Sequence, residues 1–115
     1  MTIIHIALAS DWEAALRIGT YRKSTLDLML DAVGFIHCST PSQLAGVVTR
    51  FYSDVTAPLR VLEMDVETVR TAGTEVVFEG GDSGELFPHI YGPIDPAWVR
   101  KATPAHIEDG LLVVD

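Results

Sequence analysis

An α+β fold with a mixed or antiparallel sheet is what this 115-residue sequence predicts. Three observations carry that expectation. Short β-branched and apolar runs recur at Thr2–Leu8, at residues 59–66 and at Glu75–Glu79. Helix-start signals are few and do not alternate regularly with these runs, unlike in a doubly wound sheet. Near the end, Asp109-Gly110 separates two short apolar segments, residues 105–108 and 111–114, which is the signal of a hairpin.

Taken in order, Thr2–Leu8 reads as the first strand. Ser10-Asp11-Trp12-Glu13 has the Ser-x-x-Glu form of a capping box, and Trp12, Ala15 and Leu16 keep helical spacing up to a stop at Gly19. Residues 21–33 read either as a short helix capped by Ser24 and Asp27, with Leu26, Met29 and Leu30 inward, or as an irregular loop with one helical turn. Residues 34–38 read as a short strand. Thr40-Pro41-Ser42-Gln43 is the strongest local signal: Thr40 caps, Pro41 suits the first helical position, and Gln43 reaches back to close the box. Leu44, Val47, Val48 and Phe51 then form one apolar stripe at i, i+3, i+4 and i+7.

Residues 59–66 are continuously apolar enough for a central strand, and Glu75–Glu79 gives a fourth. Residues 80–85 read as a mobile Gly-rich turn or lid, without a phosphate-loop pattern. Residues 87–94 are extended, and Pro88 and Pro93 place them at an edge or a bulge. Asp95-Pro96-Ala97-Trp98 opens a short helix by the cap-then-proline rule.

Composition bounds the function classes. Hydrophobic residues at 48% and charged residues at 21% belong to a globular chain, read as one domain over residues 1–115. No apolar run reaches membrane-span length, and the N-terminus lacks the basic region and cleavage site of a signal peptide. With a single cysteine, Cys38, the chain reads as cytoplasmic. The net charge of −8 argues against a long nucleic acid, whose grip needs a basic face. A small nucleotide or a protein substrate remains compatible with that charge.

Three histidines sit in apolar, strand-like contexts: His5, His37 and His89. Two of them lie near hydroxyl residues, His37 by Ser39 and His89 by Tyr91, and the pattern predicts at least two in one cleft. His106 reads as structural. No metal is expected: His37 and Cys38 are adjacent and point to opposite faces of a strand, and no chelating spacing occurs. Phe35 and Cys38 read as packing residues, and Cys38 lacks the electropositive setting of a nucleophile. Ser39 lacks the Gly-x-Ser-x-Gly elbow and reads as a ligand-binding hydroxyl or, equally, as a helix cap. Glu79 and Glu85 flank the Gly-rich turn, and each reads either as a carboxylate for a cleft or, equally, as a solvated charge.

Several blocks are similar to a known family. Ile3-Ile4-His5-Ile6-Ala7, Gly19-Thr20-Tyr21, Gly34-Phe35-Ile36-His37-Cys38-Ser39-Thr40 with Gln43, Phe51-Tyr52 and Phe87-Pro88-His89-Ile90-Tyr91-Gly92 resemble the bacterial domain-of-unknown-function family 952. The resemblance implies the ADP-ribosyltransferase-like fold group, near its tRNA 2′-phosphotransferase branch. That fold has two small mixed or antiparallel sheets with short helices around a cleft. It implies NAD as a substrate, with His5 on the adenosine ribose and His37 and Ser39 by the nicotinamide side. His89 and Tyr91, with Glu79 upstream, occupy the place where a glutamate motif is usual. The implied catalytic residues are therefore His37, His89 and Glu79, and the implied binding residues are His5, Ser39, Thr40 and Tyr91. The alternative is a non-catalytic ligand- or partner-binding domain that keeps the cleft.

Overall fold

The computed structural model describes residues 1–26, 28–80 and 84–115. Two antiparallel sheets and several short helical segments make up the fold. Strands β1 (Thr2–Leu8), β3 (Leu59–Asp65), β6 (Lys101–Glu108) and β7 (Leu111–Val114) form a four-stranded sheet in the order β1-β3-β6-β7. Strands β2 (Ile36–His37), β4 (Glu75–Glu79) and β5 (Phe87–Tyr91) form a three-stranded sheet in the order β2-β5-β4. The α+β expectation holds, and so does the central place of β3.

Both faces of β1 are buried, because the larger sheet is covered on two sides. Ile3 and Ala7 join Leu62 and Met64 on one face, where they pack with Ile36, Cys38, Val76 and Ile90 around the smaller sheet. Ile4, Ile6, Leu59 and Val61 occupy the other face and meet Leu44, Val47, Val48 and Tyr52. The alternation follows from the two-residue period of a strand.

Helix α1 (Ala9–Ile18) ends at Gly19, whose φ of 94° provides the left-handed stop. Its start differs from the capping-box expectation at Ser10. The cap position falls on Leu8, and the Ala9 N–H is satisfied by the Pro58 carbonyl at 2.9 Å. A tertiary partner thus replaces the local cap. Among the described residues of 21–33, Leu30–Val33 is helical (α2) and no other stretch is; Leu30 is buried, whereas Met29 is exposed. Asp27, the expected second cap residue, lies outside the described residues, as do positions 81–83 of the expected Gly-rich turn.

After β2, Pro41–Gln43 forms a 3-10 turn, followed by α3 (Leu44–Val47) and a π-turn over Val48–Tyr52. Gln43 Oε1 accepts the Thr40 N–H at 3.0 Å, as the capping-box reading requires. The π-turn was not legible in the apolar stripe. It shifts the register by a residue, so Tyr52 takes the core seat at 2% exposure while Phe51 turns outward at 46%.

Helix α4 (Val66–Thr71) was not anticipated. Asp65 caps it by accepting the Glu67 N–H at 2.9 Å. The Asp95 cap, the Pro96–Trp98 turn and the β6–β7 hairpin match their sequence signals. In that hairpin Asp109 and Gly110 both have positive φ, at 53° and 77°.

Pro88 corrects the edge-strand expectation, since β5 is the middle strand of its sheet. The register explains how proline is accommodated. Cys38 donates its N–H to the Pro88 carbonyl at 3.0 Å, and Pro88 has no N–H to return. The β2–β5 ladder ends there. The chain crosses at Ser39 to β1, where Ser39 and Ile4 exchange two hydrogen bonds of 2.8 and 2.7 Å. No helix among the described residues is long and apolar enough to cross a membrane.

Candidate functional site

The register of the smaller sheet sorts its side chains. Ile36 pairs with Ile90, and both are fully buried. His37 pairs with His89, so both imidazoles leave the opposite face. Phe87 and Tyr91 share that face by two-residue spacing, and Glu79 joins them by pairing with Phe87. An open cleft of about 500 Å³ lies there, lined by Phe35, His37, Phe87, His89, Tyr91, Glu79 and Gly80 and bordered by Arg50 and Phe51 of the π-turn.

A hydrogen-bonded chain runs along the cleft floor. Glu79 Oε1 takes hydrogen bonds from Tyr91 Oη and from His89 Nδ1, the latter at 2.8 Å. His89 Nε2 lies 3.3 Å from His37 Nδ1. His37 Nε2, the other end, is buried without a hydrogen-bond partner among the described residues. Tyr91 and His89 hold the Glu79 carboxyl below the ordinary carboxylate range. The hydrogen bond to Glu79 in turn raises the Tyr91 phenol, which keeps its proton and donates.

Those protonation states fix the tautomers. An ionised Glu79 only accepts, so His89 carries its proton on Nδ1. With a single ring proton, His89 accepts at Nε2 and His37 donates from Nδ1. His37 Nε2 is left as an unprotonated lone pair. Burial lowers the His37 pKa to about 4, with smaller contributions from His89 and Arg50. His37 is therefore neutral near pH 7.

Aromatic rings hold the chain in place. Phe35 stacks on His89 at 3.9 Å between ring centroids and 8° between planes. This corrects its reading as a packing residue: it shapes the cleft. Phe87 and Phe51 tilt against His37 at 5.2 and 6.1 Å.

Of the residues read from sequence, the structure brings His37, His89, Glu79 and Tyr91 together. It does not bring His5, Ser39 or Thr40 into that lining. His5 is 1% exposed; its Nδ1 bonds the His37 carbonyl at 2.7 Å and its Nε2 bonds Tyr21 Oη at 2.8 Å. Both ring nitrogens are committed, so His5 supports His37 from behind instead of touching a ligand. Ser39 is 2% exposed and serves as the crossing between sheets. Thr40 bonds Ser42 and starts the 3-10 turn. Glu85 stands just outside the cleft lining, 3.9 Å from Arg50. Cys38 is buried with its thiol pKa pushed up by desolvation, in line with a packing role.

Sequence reasoning missed Arg50, Phe51 and Gly80. Gly80 was read within the Gly-rich turn and Phe51 on the apolar stripe, and the π-turn overrides the spacing from the helix start.

The family described as "Protein of unknown function (DUF952)" matches residues 6–102. The chain belongs to this family. The DUF952 match spans β1 to the start of β6 and so includes every residue of the cleft. No curated protein matches the chain. Among solved structures, the crystal structure of protein CC0527 from Caulobacter crescentus is 24% identical, with a TM-score of 0.83 over 98% of this chain and 94% of that one. A double mutant of CC0527 gives 25% identity and a TM-score of 0.82 over the same shares. Its solution structure gives 24% and 0.76 over 96% and 90%. These likenesses establish a shared fold.

Proposed function

We propose that the cleft binds a nucleotide, NAD in the fullest version, and that the protein is a transferase of the ADP-ribosyl- or 2′-phosphotransferase type with an ADP-ribosylation-like fold. The observation that carries this reading is the Glu79–His89–His37 chain, which ends in an unpartnered Nε2. Such a nitrogen has a lone pair for the proton of an attacking hydroxyl once a ligand displaces the groups that bury it.

For transfer from NAD, the hydroxyl oxygen bonds to ribose C1′ while the bond from C1′ to the nicotinamide nitrogen breaks. Nicotinamide leaves with the bonding electrons, and the hydroxyl proton passes to His37 Nε2. The positive charge that arrives on His37 is relayed through His89 toward ionised Glu79. Cleavage at C1′ develops oxocarbenium character, which a nearby carboxylate stabilises. Both donors to Glu79 converge on Oε1, which leaves Oε2 outside those bonds. Phe35, Phe51 and Tyr91 supply ring faces for a heteroaromatic group.

The burial of His5 and Ser39 favours a second reading, a binding domain that keeps the cleft without the reaction. Incubation with NAD followed by chromatography for nicotinamide separates the two. Release by the wild type, lost in His37→Ala with NAD binding retained, supports the transferase. Binding without release supports the second reading. Absence of both binding and turnover at millimolar NAD overturns the NAD transferase.

A further inference from the structure

We infer that Arg50 is the anion-binding residue of this cleft, that it takes a phosphate group of the ligand, and that Glu85 holds its place until the phosphate arrives. The inference rests on the nucleotide reading and deepens it by naming the group recognised.

Three observations carry it. First, the π-turn over Val48–Tyr52 aims Arg50 and Phe51 at the cleft. A regular helix would have kept Phe51 on the apolar stripe. π-Turns inside helical segments are costly in geometry and recur at functional sites. Second, Arg50 is the one Lys or Arg among the described residues lining the cleft, in a chain of net charge −8. Its guanidinium offers a planar fork that matches phosphate oxygens in pairs. It stands close enough to His37 to disfavour an imidazolium there, so a bound anion and the proton-accepting nitrogen share one site.

Third, the counter-ion of Arg50 is loosely held. Arg50 Nη2 and Glu85 Oε1 are 3.9 Å apart, and both side chains are substantially exposed. Such a pair contributes little, and a doubly charged phosphate displaces it at small cost. Glu85 has a second anchor when it leaves, since Gln43 Nε2 lies 3.4 Å from its Oε2. Gln43 also donates to the Leu86 carbonyl at 2.7 Å, which fixes this segment against the helix start.

Calorimetric titration of the full chain with inorganic pyrophosphate and, separately, with adenosine tests the inference. Arg50→Gln weakens pyrophosphate binding by about tenfold or more, the scale of a lost charge-assisted hydrogen bond. Glu85→Gln strengthens it by about threefold, the scale of a released exposed ion pair. Adenosine affinity stays the same in all three proteins. Wild-type indifference to pyrophosphate, or an Arg50→Gln variant that binds it as well as the wild type, overturns the inference. An unchanged Glu85→Gln variant overturns the role given to Glu85. If pyrophosphate behaves as stated but neither adenosine nor NAD binds, the nucleotide reading falls and the anion site stands. If adenosine binds and pyrophosphate does not, the reverse holds. Arg50 is half exposed, and thermal unfolding of Arg50→Gln checks that the fold is kept.

Discussion

His37 Nδ1 lies 3.3 Å from His89 Nε2, and this one contact sets the chemistry of the cleft. Because Glu79 takes the Nδ1 proton of His89, a singly protonated His89 accepts at Nε2 and His37 donates from its own Nδ1. The nitrogen left over is the one without a partner.

If that nitrogen is the general base, His37→Gln lowers nicotinamide release by about 10²–10⁴-fold. NAD affinity changes little, because the cleft walls remain. His89 acts through His37, so His89→Gln moves the pH profile of the reaction along with its rate. Steady-state rates across pH for both variants check this. A His37→Gln enzyme with wild-type turnover removes His37 from the mechanism.

Behind the cleft, His5 Nδ1 must donate to the His37 carbonyl, so its Nε2 accepts from Tyr21 Oη. Tyr21→Phe strands a buried acceptor and costs about 1–3 kcal/mol. Chemical denaturation reads that loss directly. A neutral Tyr21→Phe result means that the buried bond contributes no net stability.

Burial lowers the His5 pKa from 6.5 to about 4, and His37 is shifted in the same direction. Between those values the unfolded chain binds more protons than the folded one, so stability rises with pH. The contribution is complete above pH 6.5 and is lost as pH falls toward about 4. His106 works with the opposite sign. Asp115 and Glu108 raise its pKa, so its small exposed contribution is present in acid and lost as pH rises through the raised value. Denaturant midpoints measured across this range should fall on acidification; a flat profile contradicts the buried, neutral His5.

Gly80 sits where the cleft meets the segment after it. A Cβ there would lie 1.9 Å from the Glu85 carbonyl oxygen, a backbone atom that cannot rotate away. Gly80→Ala therefore costs about 1–3 kcal/mol through overpacking and displaces Glu85. Thermal unfolding measures the cost, and wild-type stability would show that the two segments separate freely.

Much of this arrangement was legible in the sequence. Phe87, His89 and Tyr91 alternate, so one strand already presents three cleft residues on one face. The Gly34 to Thr40 block correctly announced a strand that runs into a helix start. Other features depend on partners far along the chain, which local pattern does not carry. His5 looked like a ligand contact and is sealed by Tyr21 and His37. Pro88 looked like an edge residue and sits in a middle strand, because its neighbour β2 stops where proline fails to donate. The π-turn decides that Tyr52 fills the core and that Phe51 meets the cleft, and residue types alone do not announce it.

His37 carries its proton on Nδ1 and keeps a buried, unprotonated Nε2 beside the cleft. Side-chain ¹⁵N NMR of the histidines tests it most directly. Near neutral pH, His37 is expected to show a protonated Nδ1 and a pyridine-type Nε2, with no titration until the pH approaches about 4. A proton on Nε2, or titration at the ordinary histidine value, would contradict it.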